Sequence, residues 1–341
     1  MGKKIAFIGS SGGNLYKQGG NDLPAMMKEL CGQTKAADME IVFVQYVLAS
    51  GSLDNVGPDS PATLFTWNGK EVQPVFQGTL CEVDAEAAKV DAQLAKVLTG
   101  IHLSSYGVDF KEEERESLLS LIQAVHEVEG IQRIRLGSLE PRIITEEFVG
   151  RLKKLHKVCP HFHLSLQSGC EETLKRMNRH YTPEEYYEKC KLLRAAFENP
   201  AITTDVIVGF PGETDEEFDK TRQFLEKVHF YEMHIFRYSR RKGTRADKME
   251  NQIPEETKAQ RSGILSSLES QMTKEFRTKW TGACVKVLLE ERQEINGVSY
   301  MVGHTPEYIK CAVETDAQDN TIIDAIIEGE LTADVMKARQ G

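Results

Sequence analysis

The sequence predicts an α/β protein in three parts. An α/β segment occupies residues 1–96, a partial parallel β/α barrel residues 97–254, and a small all-β barrel residues 280–341, reached through a helix at 255–279. Three observations carry this. From residue 97 onward, strand patterns alternate with helical patterns of about ten to fifteen residues, the signature of βαβ units around a parallel sheet. The tail is instead a run of short strands with an Asn296-Gly297 turn. The composition also changes along the chain: no arginine precedes Arg115, and arginine is common afterwards. That shift suggests segments of different ancestry, with a seam near residue 97.

In the first part, residues 4–8 read as a strand and the glycine-rich residues 9–13 as a loop. Asp22 caps a helix with Pro24 in its first turn. Residues 41–47 form an apolar run typical of a buried parallel strand. Strands at 63–66 and 72–76 flank Asn68-Gly69, a two-residue hairpin signal. Good helix formers fill 85–96 and lead directly into an expected strand at 97–103.

In the barrel, strands are expected at 133–139, 162–167, 202–208 and 233–238. Helices are expected at 146–157, from 171, and at 183–197 and 215–228. The tail strands are expected at 284–289, 299–302, 308–313 and 321–327.

With 341 residues, 40% hydrophobic and 28% charged, the chain has the composition of a soluble globular protein. No apolar run approaches the ~18 residues of a membrane span. Seven cysteines, odd in number and irregularly spaced, point to a reducing cytoplasm rather than a disulfide scaffold. The net charge of −10 divides as −3 over 1–98, −6 over 281–341 and −1 between. Nucleic-acid contact therefore needs a local basic patch.

One such patch ends the last barrel strand: Arg237, Arg240, Arg241 and Arg245, with Lys242 among them, are candidates for RNA phosphate contacts. His163, Ser165 and Gln167 share one face of a strand, and a polar face in a parallel barrel implies a solvated lumen where a ligand sits. Glycines such as Gly209 permit tight turns and close backbone approach to a ligand.

Several stretches in order carry a family resemblance: LTGIHLSSYG (98–107), RIRLGSLEP (133–141), PHFHLSLQSG (160–169), LKRMNRHYT (174–182), DVIVGFPGET (205–214) and FRYSRRKGT (236–244). They resemble the radical-SAM tRNA methylthiotransferases, most closely the type acting on threonylcarbamoyl-adenosine beside the anticodon. MVGHTPEYIK (301–310) is similar to that family's TRAM domain, an OB-like RNA-binding barrel. The resemblance implies S-adenosylmethionine and [4Fe-4S] clusters as cofactors, and a tRNA anticodon stem-loop as partner. It makes Ser138, Glu140, Ser165, Gln167, Ser168, Arg176, Arg179, Asp205 and Gly209 candidate S-adenosylmethionine contacts. No residue is assigned an acid–base role.

The chain departs from the family in lacking C-x-x-x-C-x-x-C. Clusters need thiolate ligands, and Cys159 and Cys170 lie at opposite ends of one expected strand, roughly 20 Å apart at ~3.3 Å per residue. All seven cysteines read as structural thiols, and no metal ligand is expected. The expected behaviour is that of a methylthiotransferase relative inactive as this chain. The alternatives are a non-catalytic tRNA- or nucleotide-binding fusion, or an artefactual join of two genes.

Overall fold

A computed structural model of the chain describes residues 117–341, together with the backbone of five strands ahead of them. The chain divides into two compact units, Met1–Gly137 and Ser138–Gly341.

In the first unit, β1 (Lys4–Ile8), β2 (Glu40–Tyr46), β3 (Pro61–Trp67) and β4 (Val72–Thr79) form a four-stranded sheet in that order. β1 and β2 are parallel, while β2 with β3 and β3 with β4 are antiparallel. The hairpin around Asn68-Gly69 is present, but Trp67 and Val72 are its last pair, so the connection is longer than the two residues expected.

The end of the expected helix at 85–96 is instead β5 (Leu94–Leu98), paired in parallel with β6 (Ile131–Leu136). Good local helix formers yield there to an apolar pairing partner, since strand preference is set largely by tertiary context. α1 (Leu118–Glu127), absent from the expected elements, starts where the Ser117 side chain accepts the Ser120 N–H. It buries Leu118, Leu119 and Ile122. The expected loop at 9–13, the helix capped by Asp22 and the rest of the strand at 97–103 lie outside the described residues.

The second unit begins with β7 (Ser138–Leu139), β8 (His161–Leu164), β9 (Ala201–Val208) and β10 (Glu232–Arg237), an all-parallel sheet in the order β10-β9-β8-β7. The single strand expected at 133–139 is therefore two, parted at Gly137 and paired in different sheets. Glycine interrupts a strand readily, having no side chain to pack.

α2 (Glu146–Leu152), α3 (Glu171–Arg176), α4 (Pro183–Ala196) and α5 (Asp215–Val228) connect these strands. α2 stops short of the expected residue 157, its chain tightening into turns before Pro160, which disfavours helix in the residue ahead of it. Thr182 and Thr214 open α4 and α5 with reciprocal capping boxes to Glu185 and Glu217. Phe162, Leu164, Ile202, Thr204, Val206 and Val208 are buried, and the Tyr186 hydroxyl of α4 donates to the Leu164 carbonyl at 2.8 Å.

α6 (Glu255–Thr278) packs along β10. It leads to a closed five-stranded barrel of β11 (Cys284–Ile295), β12 (Val298–His304), β13 (Lys310–Val313), β15 (Val335–Gln340) and β14 (Ile322–Thr332). Asn296 and Gly297, at φ 53° and 79°, close the two-residue hairpin expected there. β15 was not expected. The core of this barrel, including Val287, Leu289, Met301 and Ile327, runs on into Ala201, Tyr231 and Phe276, joining it to sheet and helix. Among the described residues, no helix is long and apolar enough to cross a membrane.

Candidate functional site

Parallel register sets Ser138 beside His163, His163 beside Thr203, and Asp205 beside His234. Side chains alternate along a strand, so these residues line one face while Leu164, Thr204 and Val206 turn to the helices. The polar face read from His163 and Ser165 is real, and it is wider than those two residues. His163 Nδ1 lies 2.9 Å from Thr203 Oγ1, and its Nε2 lies 3.3 Å from Asp205 Oδ2. The His163 and His234 ring centroids are 5.7 Å apart. Burial raises the Asp205 pKa, but Ser165, His163 and the charge of His234 outweigh it and hold the carboxyl below its usual range. Thr203 and His234 went unread because only the register between strands brings them beside His163 and Asp205.

Gln167 departs from the expected alternation. β8 ends at Leu164, and Gln167 adopts a left-handed φ of 73°. Its N–H donates to the Asp205 carbonyl at 2.8 Å, and its carbonyl accepts from Ile207 N–H at 2.9 Å. Its backbone thus ties the loop to β9. Ser168 is a correction to the expected cleft wall. It is fully buried, its hydroxyl lying 3.1 Å from Thr221 Oγ1 of α5 and accepting the Cys170 N–H. It belongs to the sheet–helix core.

The turn after β9 is held from within. Gly209 has φ 73°, and its N–H donates to Glu213 Oε2 at 2.7 Å. A Cβ there would sit 2.3 Å from Lys258 Cγ, so the close approach this glycine permits is to α6. Arg176 of α3 donates to both carboxylate oxygens of Glu217 and, from Nε, to the Pro211 carbonyl at 3.2 Å. It clamps the same turn. Arg179 is exposed just beyond α3. Ser138 is exposed at the sheet edge, and Glu140 pairs with Arg142 at 2.5 Å.

Arg237, Arg240, Arg241 and Arg245 are all exposed. Arg240 Nε donates to Asp247 Oδ1 at 2.6 Å, and Asp247 also accepts the Gly243 N–H. A run without acids in sequence therefore meets one in space. Phe236 at its start is 53% exposed.

The thiols do not form a cluster site among the described residues. Cys159, Cys170, Cys190 and Cys311 are buried and Cys284 is exposed, and no three of them converge. Burial pushes the Cys190 and Cys311 thiols up to about 12, and burial followed by Glu172 raises Cys170. Such thiols stay protonated, whereas cluster ligands are thiolates. Cys31 and Cys81 lie outside the described residues. Cys170, Glu172 and Glu217 approach one another, but Glu217 is already held by Arg176 and by the cap of α5.

Residues 81–225 match the family described as the Radical SAM superfamily. The chain is 40% identical over 215 residues to threonylcarbamoyladenosine tRNA methylthiotransferase MtaB of Bacillus subtilis, covering 63% of this chain and 47% of that protein. It is 39% identical over 199 residues to tRNA-2-methylthio-N(6)-dimethylallyladenosine synthase of Acetivibrio thermocellus, covering 58% and 41%. The chain thus spans less than half the length of these relatives. Among solved structures, it is similar to coproporphyrinogen III oxidase of Escherichia coli, with a TM-score of 0.42 and 15% identity over 52% of this chain and 40% of that one.

Proposed function

We propose, from the radical SAM segment at its centre, that this chain is a tRNA methylthiotransferase relative that binds S-adenosylmethionine and tRNA without generating a radical by itself. One observation carries the reading: Ser138, His163 and Asp205 share one face of the parallel sheet, Ser165 hydrogen-bonds Asp205, and the glycine turn that follows β9 is held by Arg176 and Glu213. Ligands of parallel α/β proteins bind toward the carboxyl ends of the strands, where backbone and short polar side chains are accessible. Hydroxyls at Ser138 and Ser165 suit ribose and amino-acid groups, and the ionised Asp205 suits a ribose hydroxyl or a cationic centre.

The [4Fe-4S] cluster that the superfamily's chemistry requires finds no ligand set among the described thiols, so we derive no step through it. The tRNA would meet the exposed arginines after β10, where a phosphate backbone gains charge-assisted bonds. Methylthiolation of threonylcarbamoyl-adenosine next to the anticodon is the modification to which this reading assigns the family role.

Anaerobic reconstitution of the full chain with iron and sulfide, followed by iron analysis, S-adenosylmethionine binding and a 5′-deoxyadenosine assay, tests the proposal. We expect saturable binding of S-adenosylmethionine with no stoichiometric four-iron signal and no cleavage. A four-iron cluster with reductive cleavage would overturn the inactivity. Absence of binding, with or without iron, would remove the cofactor assignment.

A further inference from the structure

The three strands at the centre of the polar face bring together a ligand set that the sequence did not reveal. His163 on β8, Asp205 on β9 and His234 on β10 each present one donor atom, and these atoms all lie within 4.8 Å of one another. They lie far apart in the chain and are adjacent only because β8, β9 and β10 are neighbours in parallel register. We propose that His163, Asp205 and His234 form a binding site for a single divalent transition-metal ion of the zinc type, contrary to the expectation that this chain has no metal ligand.

The distances argue for it. Ligand atoms about 2.0–2.1 Å from a tetrahedral zinc stand roughly 3.3–3.4 Å from each other. His163 Nε2 and Asp205 Oδ2 are already 3.3 Å apart. A charge-assisted hydrogen bond would draw such a pair to about 2.7–2.9 Å. His234 is exposed on its strand, and its donor atom lies within 4.8 Å of those of His163 and Asp205.

The supporting contacts are of the right kind. A metal-bound imidazole is oriented by a hydrogen bond from its other nitrogen. With an ion bound, Nδ1–H of His163 would donate to Thr203 Oγ1, 2.9 Å away, leaving Nε2, which otherwise faces the Asp205 carboxylate, to ligate the metal. Thr203 is itself 3% exposed, which fixes the ring against a rigid strand. The Ser165 hydroxyl hydrogen-bonds Asp205 in the same way. Among the described residues, no lysine or arginine forms an ion pair with Asp205, whereas Glu217 of α5 is taken by Arg176.

Two imidazoles and one carboxylate on one side leave the opposite side of the ion open to water or to a ligand oxygen. That is the donor set of an open zinc or non-haem iron site, rather than of a closed structural one. Asp205 serves in both this inference and the S-adenosylmethionine reading, so the metal is measured without the nucleoside, and failure of one reading is distinguishable from failure of the other.

The test is titration of the tag-free, chelator-stripped full chain with Co²⁺, followed in the visible spectrum, and with Zn²⁺ by calorimetry. We expect one equivalent, with ligand-field bands of a nitrogen–oxygen site and no sulfur-to-metal charge transfer. His163→Ala, Asp205→Asn and His234→Ala should each weaken binding at least roughly 100-fold, and Thr203→Val about 10–100-fold through the lost orienting bond. His234→Ala decides the matter if the others fold poorly, since that side chain is exposed; its urea midpoint should match the parent. Thiolate charge transfer, unchanged affinity in His234→Ala, or no binding to the stripped protein would each overturn the site.

Discussion

Arg261 of α6 donates from Nη1 to Glu213 Oε2 at 2.6 Å, with both side chains buried, and the same oxygen accepts the Gly209 N–H. The connecting helix therefore holds the glycine turn in place through one buried carboxylate. Removing one partner of a buried ion pair leaves an uncompensated charge and costs about 3–5 kcal/mol. Arg261→Met should lose stability of that order in urea unfolding. Glu213→Gln should cost less, because its amide oxygen still accepts from Gly209 and Arg261 keeps Asp215 at 2.8 Å. The reverse order would show that the carboxylate is not held by the arginine.

Gly209→Ala meets two separate obstacles. The residue has φ 73°, and its new methyl would sit 2.3 Å from Lys258 Cγ. Left-handed backbone costs a non-glycine residue about 1–2 kcal/mol, and overpacking typically another 1–3 kcal/mol. In a Lys258→Ala background the steric part should vanish while the backbone part remains. A double-mutant cycle in denaturant midpoints separates them. Strict additivity would refute the close approach.

The Arg176–Glu217 pair predicts the acid limb of stability. Burial raises the Glu217 carboxyl, but the Arg176 bond, the Thr214 N–H and the Arg176 charge outweigh it and lower its pKa below the usual 4.5. A depressed folded-state carboxyl binds fewer protons than its unfolded counterpart. Its stabilisation is therefore complete above the unfolded pKa and declines as pH falls through the folded one. The urea midpoint should drop on acidification below about pH 4.5, and Glu217→Gln should flatten that slope. An unchanged slope would place the acid sensitivity elsewhere.

Gly303 is where the C-terminal barrel closes most tightly. A Cβ on it would fall 1.8 Å from the Leu288 carbonyl oxygen across the β11–β12 pair, beside the register shift between Leu289 and Glu291. Because the opposing atom is backbone, no rotamer relieves the clash, and the strands themselves must part. Gly303→Ala should destabilise the barrel by at least about 1–3 kcal/mol, read as a lower thermal midpoint. A midpoint within error of the parent would mean that the strands separate freely here.

What the sequence disclosed follows from how each signal arises. The starts of α4 and α5, the Asn296-Gly297 hairpin and the long helix of α6 depend on neighbouring residues, and all appear where expected. The first three residues of β5 were read as helix because their partner, β6, lies more than thirty positions away, whereas Val97 and Leu98 fell in the expected strand. The polar face was half-visible: His163 and Ser165 share one strand, whereas Thr203, Asp205 and His234 join them only through inter-strand register. Gln167 misled because alternation was extended past Leu164, to a residue whose backbone is left-handed, and Ser168, a candidate through the resemblance, is buried against α5. The Arg240–Asp247 pair closes across a short loop that charge counting along the chain does not register.

That pair sharpens the RNA prediction. Arg240 is held by Asp247 through its Nε, and a second bond runs from Nη2 to the Asp247 carbonyl at 2.8 Å. Arg237 and Arg241 are exposed on the same segment. Each phosphate neutralised by a protein cation releases counterions and adds about 0.7 to the salt slope for single strands and about 0.9 for duplex. If this segment binds tRNA, Arg237→Ala/Arg241→Ala should weaken filter binding and reduce the slope by the equivalent of about two contacts. Arg240→Ala should instead act partly through the loop, because it strips Asp247 of its partner. Asp247→Asn frees the Arg240 guanidinium from a carboxylate and should leave affinity equal or higher. An unchanged slope in the double variant would take the patch out of the tRNA interface, and a large loss in Asp247→Asn would show that loop shape, not charge, governs binding.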